Sequence, residues 1–168
     1  MLNQRKYIPD LLKYQNLENC NPALFPMSIG MKLSQDDGVL LSDPEVYIRS
    51  SHLTDAIHVL KYLKGTLNHG LFYPANSEFR LSAYSDADWG TCADTARSLT
   101  SYCVFLGNAL VSWKTKKQKA VSKSSTEAEY GSMSHTTYEL VWLERLLHKL
   151  SSVEVPTPIF LYCDNISA

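Results

Sequence analysis

The sequence predicts an α/β protein in which a mixed β-sheet is crossed by one long helix, behind a small helical and irregular segment. Three observations predict it. Extended, β-rich runs from Gly70 to Trp113 contain a hairpin signal at Gly107-Asn108. One helical pattern then runs from Ser124 to about Leu150. After a Pro156/Pro158 break, Ile159-Phe160-Leu161-Tyr162-Cys163 is a nearly continuous apolar run, as in a central strand buried on both faces. A meander, a crossover helix and a returning strand give a sheet with one parallel pair.

The elements follow in chain order. Pro9 to about Tyr14 reads as a short helix with Pro9 in its first turn and Leu11 and Leu12 on its apolar side. Asn19 to Pro26, with two prolines, is a connector. Asp36-Asp37-Gly38 is a turn signal without the ligand spacing of a calcium loop. Ser42-Asp43-Pro44-Glu45 is a helix start that leads only to Ser50. Ser51 to about Lys64 is a second helix, with Ala56, Ile57, Leu60 and Leu63 on one face and Gly65 as its stop. Up to residue 69 there is too little apolar mass for an independent core, so the chain divides into 1–69 and 70–168.

From Gly70 the strands begin. Leu71-Phe72-Tyr73 is a short extended run, and Phe79 to Asp86 alternates, followed by Asp88 and Trp89. Tyr102–Leu106 and Leu110–Trp113 form the hairpin, with Trp89 and Trp113 expected in the core. The long helix opens with Ser124 and, three residues on, Glu127, a capping box. Met133, Leu140, Leu143, Leu147 and Leu150 recur at helical spacing, with Thr136 filling a gap. Extended backwards, that stripe reaches Glu129, while Glu127 lies about 200° away around the helix. Either the stripe ends before Glu129 and the first turn is wet, or a carboxylate is buried there and something must meet its charge.

Composition narrows the function classes. The 168 residues carry 16 Lys and Arg against 17 Asp and Glu, a net charge of −1. This balance argues against a strongly basic, non-specific nucleic-acid binder but allows a local basic patch. Cys20, Cys92, Cys103 and Cys163 have no paired spacing, so neither a zinc site nor a redox motif is indicated. No run is apolar and long enough to span a bilayer, and the N-terminus does not read as a signal peptide. The expected setting is intracellular, cytoplasmic or nuclear, with no membrane partner.

Three acids stand where the topology brings chain ends together. On the first long strand Ser82, Tyr84, Asp86 and Asp88 share one face. Asp164 follows the last strand directly. If the two strands are parallel neighbours, Asp86 and Asp164 lie side by side, and the helix between them brings Glu129 over the same spot. Each acid alone also suits an ordinary role, as a strand-end turn residue or a helix-start dipole partner. Three together repel one another and raise each other's pKa. A divalent cation removes that conflict, and all-oxygen ligands select magnesium or manganese. Lys114, Lys116, Lys117, Lys119 and Lys123, uninterrupted by any acid, then read as a phosphate track beside the metal, or as a solvated loop or protected sheet edge.

At these residues the chain resembles a known family. Tyr84-Ser-Asp-Ala-Asp-Trp89, Ser98 to Gly107, Val111 to Gln118, Ser124-Ser-Thr-Glu-Ala-Glu-Tyr130 and Leu161-Tyr-Cys-Asp-Asn165 closely resemble the ribonuclease H domain of copia-type retrotransposon polyproteins. Gln4 to Leu12 and Leu33 to Gly38 look like the end of the reverse transcriptase of such polyproteins, and His58 to Thr66 like the connecting segment. The resemblance implies a ribonuclease H-like fold cleaving the RNA strand of RNA–DNA hybrids with two magnesium ions. It puts the catalytic, metal-binding acids on Asp86, Glu129 and Asp164, and leaves Asp88 secondary. It implies the rest of the Pol polyprotein and an RNA–DNA hybrid as partners. The family's last metal-site acid lies beyond the position of Ala168, so the resemblance implies a C-terminally truncated domain with weak or no nuclease activity. The polymerase Asp pair lies upstream in the family, so no polymerase activity is expected. Two further readings are a non-catalytic nucleic-acid-binding remnant that uses the lysine run, and an unstable translated fragment without a function of its own.

Overall fold

The computed structural model describes residues 1–27, 34, 37–40, 50–151 and 154–165. The helix start expected at Ser42-Asp43-Pro44-Glu45, and Asp36 of the expected turn, lie outside them. The chain divides into two compact units, Met1–Leu71 and Phe72–Ala168.

The first unit holds strand β1 (Leu2–Asn3), helix α1 (Tyr7–Tyr14), helix α2 (Ser50–Gly65) and strand β2 (Gly70–Leu71). β1 and β2 form an antiparallel pair with Leu2 opposite Leu71. The extended run expected at Leu71–Tyr73 therefore joins this small ribbon through Leu71 and not the main sheet. The backbone O of Leu2 lies too close to Gly70 to admit a Cβ there. α1 packs against α2 and buries Ile8 and Leu12, one helical turn apart. No residue of α2 is fully buried. Polar ties supplement this thin apolar packing. The Lys64 ammonium donates to the carbonyls of Glu18 and Cys20, each at 2.6 Å. A nitrogen of His58 bonds the Phe25 carbonyl at 3.0 Å.

The second unit is α/β. β3 (Leu81–Asp88), β4 (Leu99–Leu106), β5 (Ala109–Lys117) and β6 (Phe160–Tyr162) form a sheet in the order β5-β4-β3-β6, and α3 (Ser125–Ser151) joins β5 to β6. β3–β4 and β4–β5 are antiparallel, and β3–β6 is parallel with Tyr84 opposite Tyr162. The meander, crossover and parallel return thus match the sequence pattern. β6 differs from its expected central place. It is a three-residue edge strand with Phe160 and Tyr162 half exposed. Pro156 and Pro158 delay the strand's start after α3, and the run is short, so little ladder forms.

Burial along β3 alternates strictly. Leu81, Ala83, Ser85 and Ala87 face inward, whereas Tyr84, Asp86 and Asp88 face out. The inward face meets α3 in a core of Leu81, Ala83, Tyr102, Val104, Leu140, Leu143 and Val155. The hairpin between β4 and β5 turns at Gly107 with φ +57°, a conformation that favours glycine, and any Cβ there would strike Ser77 and the Glu78 carbonyl. The outward face carries an aromatic stack: Tyr84 lies 5.1 Å from Tyr162 and meets Phe105 edge-on at 6.0 Å.

α3 begins as its sequence directs. The Glu127 amide donates to Ser124 Oγ at 3.1 Å, and the Glu127 carboxylate accepts from the Lys123 amide at 2.7 Å, one residue before the cap. Its buried stripe passes through Ala128, Glu129, Ser132, Thr136, Leu140 and Leu143. The stripe ends earlier than the leucine spacing implies, because Leu150 is 74% exposed. Small residues at its start let the helix approach β3 closely. Ser132 Oγ donates to the backbone carbonyl of Asp86 at 2.7 Å. Ser132→Ala is expected to cost about 1 kcal/mol. Thermal unfolding followed by circular dichroism would show this as a midpoint lower by about 4–8 °C.

Candidate metal centre

Two backbone features bring the acids together. The β3–β6 register runs in parallel from Ser82 and Phe160 to Tyr84 and Tyr162, so two more steps set Asp86 level with Asp164. The first turns of α3 lie against the same strand end, held by Ser132 on Asp86 and by Glu129 itself. Glu129 Oε1 accepts a hydrogen bond from the Ala87 amide at 3.2 Å. One carboxylate oxygen each from Asp86, Glu129 and Asp164 then lies within 4.8 Å of the others. Among the described residues this is the one group of three or more His, Cys, Asp or Glu side chains so gathered.

Glu129 is only 4% exposed, and its Oε2 has no hydrogen-bond partner among the described residues. Burial pushes its carboxyl above the usual carboxylate range, the charges of Asp86, Asp164 and Asp88 push the same way, and the Ala87 amide opposes them. Asp86 and Asp164 are exposed. The cluster is thus a buried acceptor backed by strand and helix, with two acids on its solvent side. Such a set relieves its mutual repulsion by taking up either a proton or a cation.

Asp88 contributes charge but is not in the cluster. The lysines are partly on a strand. Lys114, Lys116 and Lys117 lie within β5, which runs four residues beyond the expected end at Trp113, and Lys119 and Lys123 follow in the connection to α3. Lys114 and Lys116 pair with Tyr102 and Thr100, both buried on the helix side, so they point to that side. All five lysines are exposed.

The tryptophans are not core. Trp89 is 54% and Trp113 57% exposed. Trp89 lies against the connection, where its ring N–H donates to the Ser122 carbonyl at 3.0 Å. Two contributors escape sequence reasoning. Ser132 reads as an unremarkable helix residue, although its place three residues after Glu129 on the same stripe was the available signal. Gln118 Nε2 donates to Thr100 Oγ1 (3.1 Å) and the Ala128 carbonyl (2.9 Å), and its oxygen accepts from Ser122 Oγ (3.1 Å). It ties β4, the connection and the start of α3 together, and a lone Gln carries no pattern that announces this.

No protein-family model and no solved structure matches the chain. Curated relatives do. The chain is 36% identical to the Retrovirus-related Pol polyprotein from transposon RE1 of Arabidopsis thaliana, over 99% of its own length and 13% of that protein. It is also 36% identical to the Retrovirus-related Pol polyprotein from transposon RE2 of the same plant, again over 99% of this chain and 14% of that protein. An uncharacterized mitochondrial protein of Arabidopsis thaliana is 31% identical over 84% of this chain and 71% of its own length. The chain thus spans about one seventh of the two polyproteins and most of the shorter relative. It is a retrotransposon-derived region, and it belongs to the family of retrovirus-related Pol polyproteins of copia-type transposons.

Proposed function

We propose that the unit Phe72–Ala168 is a ribonuclease H-type domain whose Asp86, Glu129 and Asp164 hold magnesium or manganese for hydrolysis of the RNA strand of an RNA–DNA hybrid. One observation carries the reading: three carboxylate oxygens meet within 4.8 Å, one of them from a buried Glu129 whose Oε2 is unpartnered. The donor set fits a hard divalent cation, since it is all oxygen and anionic, with no thiol or imidazole. Asp86, Glu129 and Asp164 would hold such ions, which would supply activation of a water and stabilisation of a phosphodiester's leaving oxygen.

The chain's own residues do the rest. The Ala87 amide and the packed start of α3 fix Glu129, so one ligand is oriented before any ion arrives. Asp86 and Asp164, exposed, face the side from which a substrate approaches. The lysines on β5 and after it supply cations for the phosphates of a strand lying across the domain. Three carboxylates do not balance the charge of two dications, so these residues by themselves are expected to run the reaction slowly.

A labelled RNA–DNA hybrid incubated with the 168-residue chain and magnesium tests this. The expected result is slow cleavage of the RNA strand that is lost in EDTA and in Asp86→Asn. Fast cleavage would sink the charge argument. Absence of both cleavage and any magnesium effect on stability would sink the metal centre. The exposed lysines favour a second reading, a non-catalytic nucleic-acid binder; hybrid binding with steep salt dependence but no metal effect would decide for it.

A further inference from the structure

The helix side of β5 carries another site, which shares no residue with the carboxylate cluster. A cavity of about 220 Å³ opens there between β5 and α3. Its floor is Thr100 and Tyr102, both buried. Lys114, Lys116 and Lys119 stand on its strand side, and α3 contributes His135, Tyr138 and Glu139. The walls are preset. Glu139 Oε1 accepts from Ser112 Oγ at 2.7 Å, and Gln118 is fixed by the bonds described above. Burial first, and the charge of Glu139 second, hold the Tyr102 phenol above its ordinary pKa, and the phenol hydrogen-bonds Glu139 and Ser112 within the wall.

The charges decide what fits. A carboxylate inside the cavity repels a bare anion, so phosphate alone is a poor occupant. Four lysines line the cavity, Lys117 among them, and all are exposed and make no ion pair among the described residues, so they attract one. The matching ligand is anionic outside and, inside, neutral, planar and able to donate hydrogen bonds to a carboxylate. A nucleotide whose base has an exocyclic amino group meets all of these conditions. Tyr138 and His135, three residues apart on one helix face, offer rings for stacking. We propose that the cavity between β5 and α3 takes one unpaired nucleotide of a single strand, its phosphates on Lys114, Lys116 and Lys119 and the amino edge of its base on Glu139. A strand suits the rim better than a free nucleotide, because the lysines are spread along β5 and past its end. The proposal goes beyond the hybrid reading, since it needs neither a divalent ion nor a duplex.

Fluorescence anisotropy with labelled oligo-dC and oligo-dT, at low salt and in EDTA, tests it apart from the metal centre. Oligo-dC is expected to bind about tenfold tighter than oligo-dT. Lys114→Ala with Lys116→Ala weakens both by roughly tenfold. Glu139→Gln brings the two affinities together. Its circular dichroism melt controls for folding, and the lysine pair, being exposed, provides an independent variant. Equal affinities for dC and dT that Glu139→Gln leaves unmoved would overturn the proposal, as would no binding at all. dCMP binding as tightly as oligo-dC would overturn the strand and assign the cavity to a free nucleotide.

Discussion

Glu129→Gln is expected to make the metal-free chain more stable at neutral pH and to remove its response to magnesium. The buried carboxylate has one amide donor on Oε1, nothing on Oε2, and two acids facing it. Charging such a group costs about 1–3 kcal/mol, which a neutral amide of the same shape avoids. The pH dependence has a definite sign. The folded pKa lies above the unfolded one, so the native state holds the proton more tightly. The contribution to stability is fully present below the unfolded value and is lost as pH rises through the folded value. The metal-free wild type therefore loses stability as pH rises above the ordinary carboxylate range on account of this group, and the Gln variant does not. If the cluster is the proposed metal centre, magnesium is expected to reverse the dependence, because it would bind the ionised form. At a hundredfold excess over its dissociation constant it adds about 2.7 kcal/mol to the wild type. Urea unfolding at several pH values, with and without magnesium, checks both halves. A Gln variant that still gains stability from magnesium would remove Glu129 from the centre.

The largest loss of stability is expected from Leu81→Ala. Leu81 is fully buried at the start of β3, in the core that joins the sheet to α3 and Val155. Removing its side chain leaves a cavity between layers that cannot collapse, at about 2–5 kcal/mol. A unit of this size is stable by roughly 5–15 kcal/mol, so that loss is a large fraction of the total. A cooperative melt displaced downward by more than about 10 °C is the expected result. The same experiment addresses the unstable-fragment reading. A wild type with no cooperative transition, and a variant indistinguishable from it, would favour that reading.

Much of this architecture was legible because its signals are periodic. Alternation grouped Asp86 with Tyr84 and Asp88 on one face of β3, and helical spacing singled out Glu129 over Glu127. The apolar run before Asp164 marked the returning strand. What escaped lacks a period or competes with one. Lysines are poor strand formers by propensity, so β5 was expected to stop at Trp113. Yet on an edge strand they cost little and discourage unwanted pairing. Hydrophobicity alone assigned Trp89, Trp113 and Leu150 to the interior, but apolar character does not specify burial where no layer covers a face. Gln118 acts through side-chain hydrogen bonds to three partners, which no sequence period announces, and Ser132 through a bond to the Asp86 carbonyl that only its place on the Glu129 stripe hinted at.

β6 has a consequence for how the centre is kept assembled. Asp164 is delivered by a margin of only three ladder residues, Phe160 to Tyr162, so fraying of that margin withdraws one of the three acids. Under the proposed metal reading, an ion in the cluster would act as a clasp on this edge strand. Deuterium uptake at Leu161 and ion occupancy report a single equilibrium from its two ends.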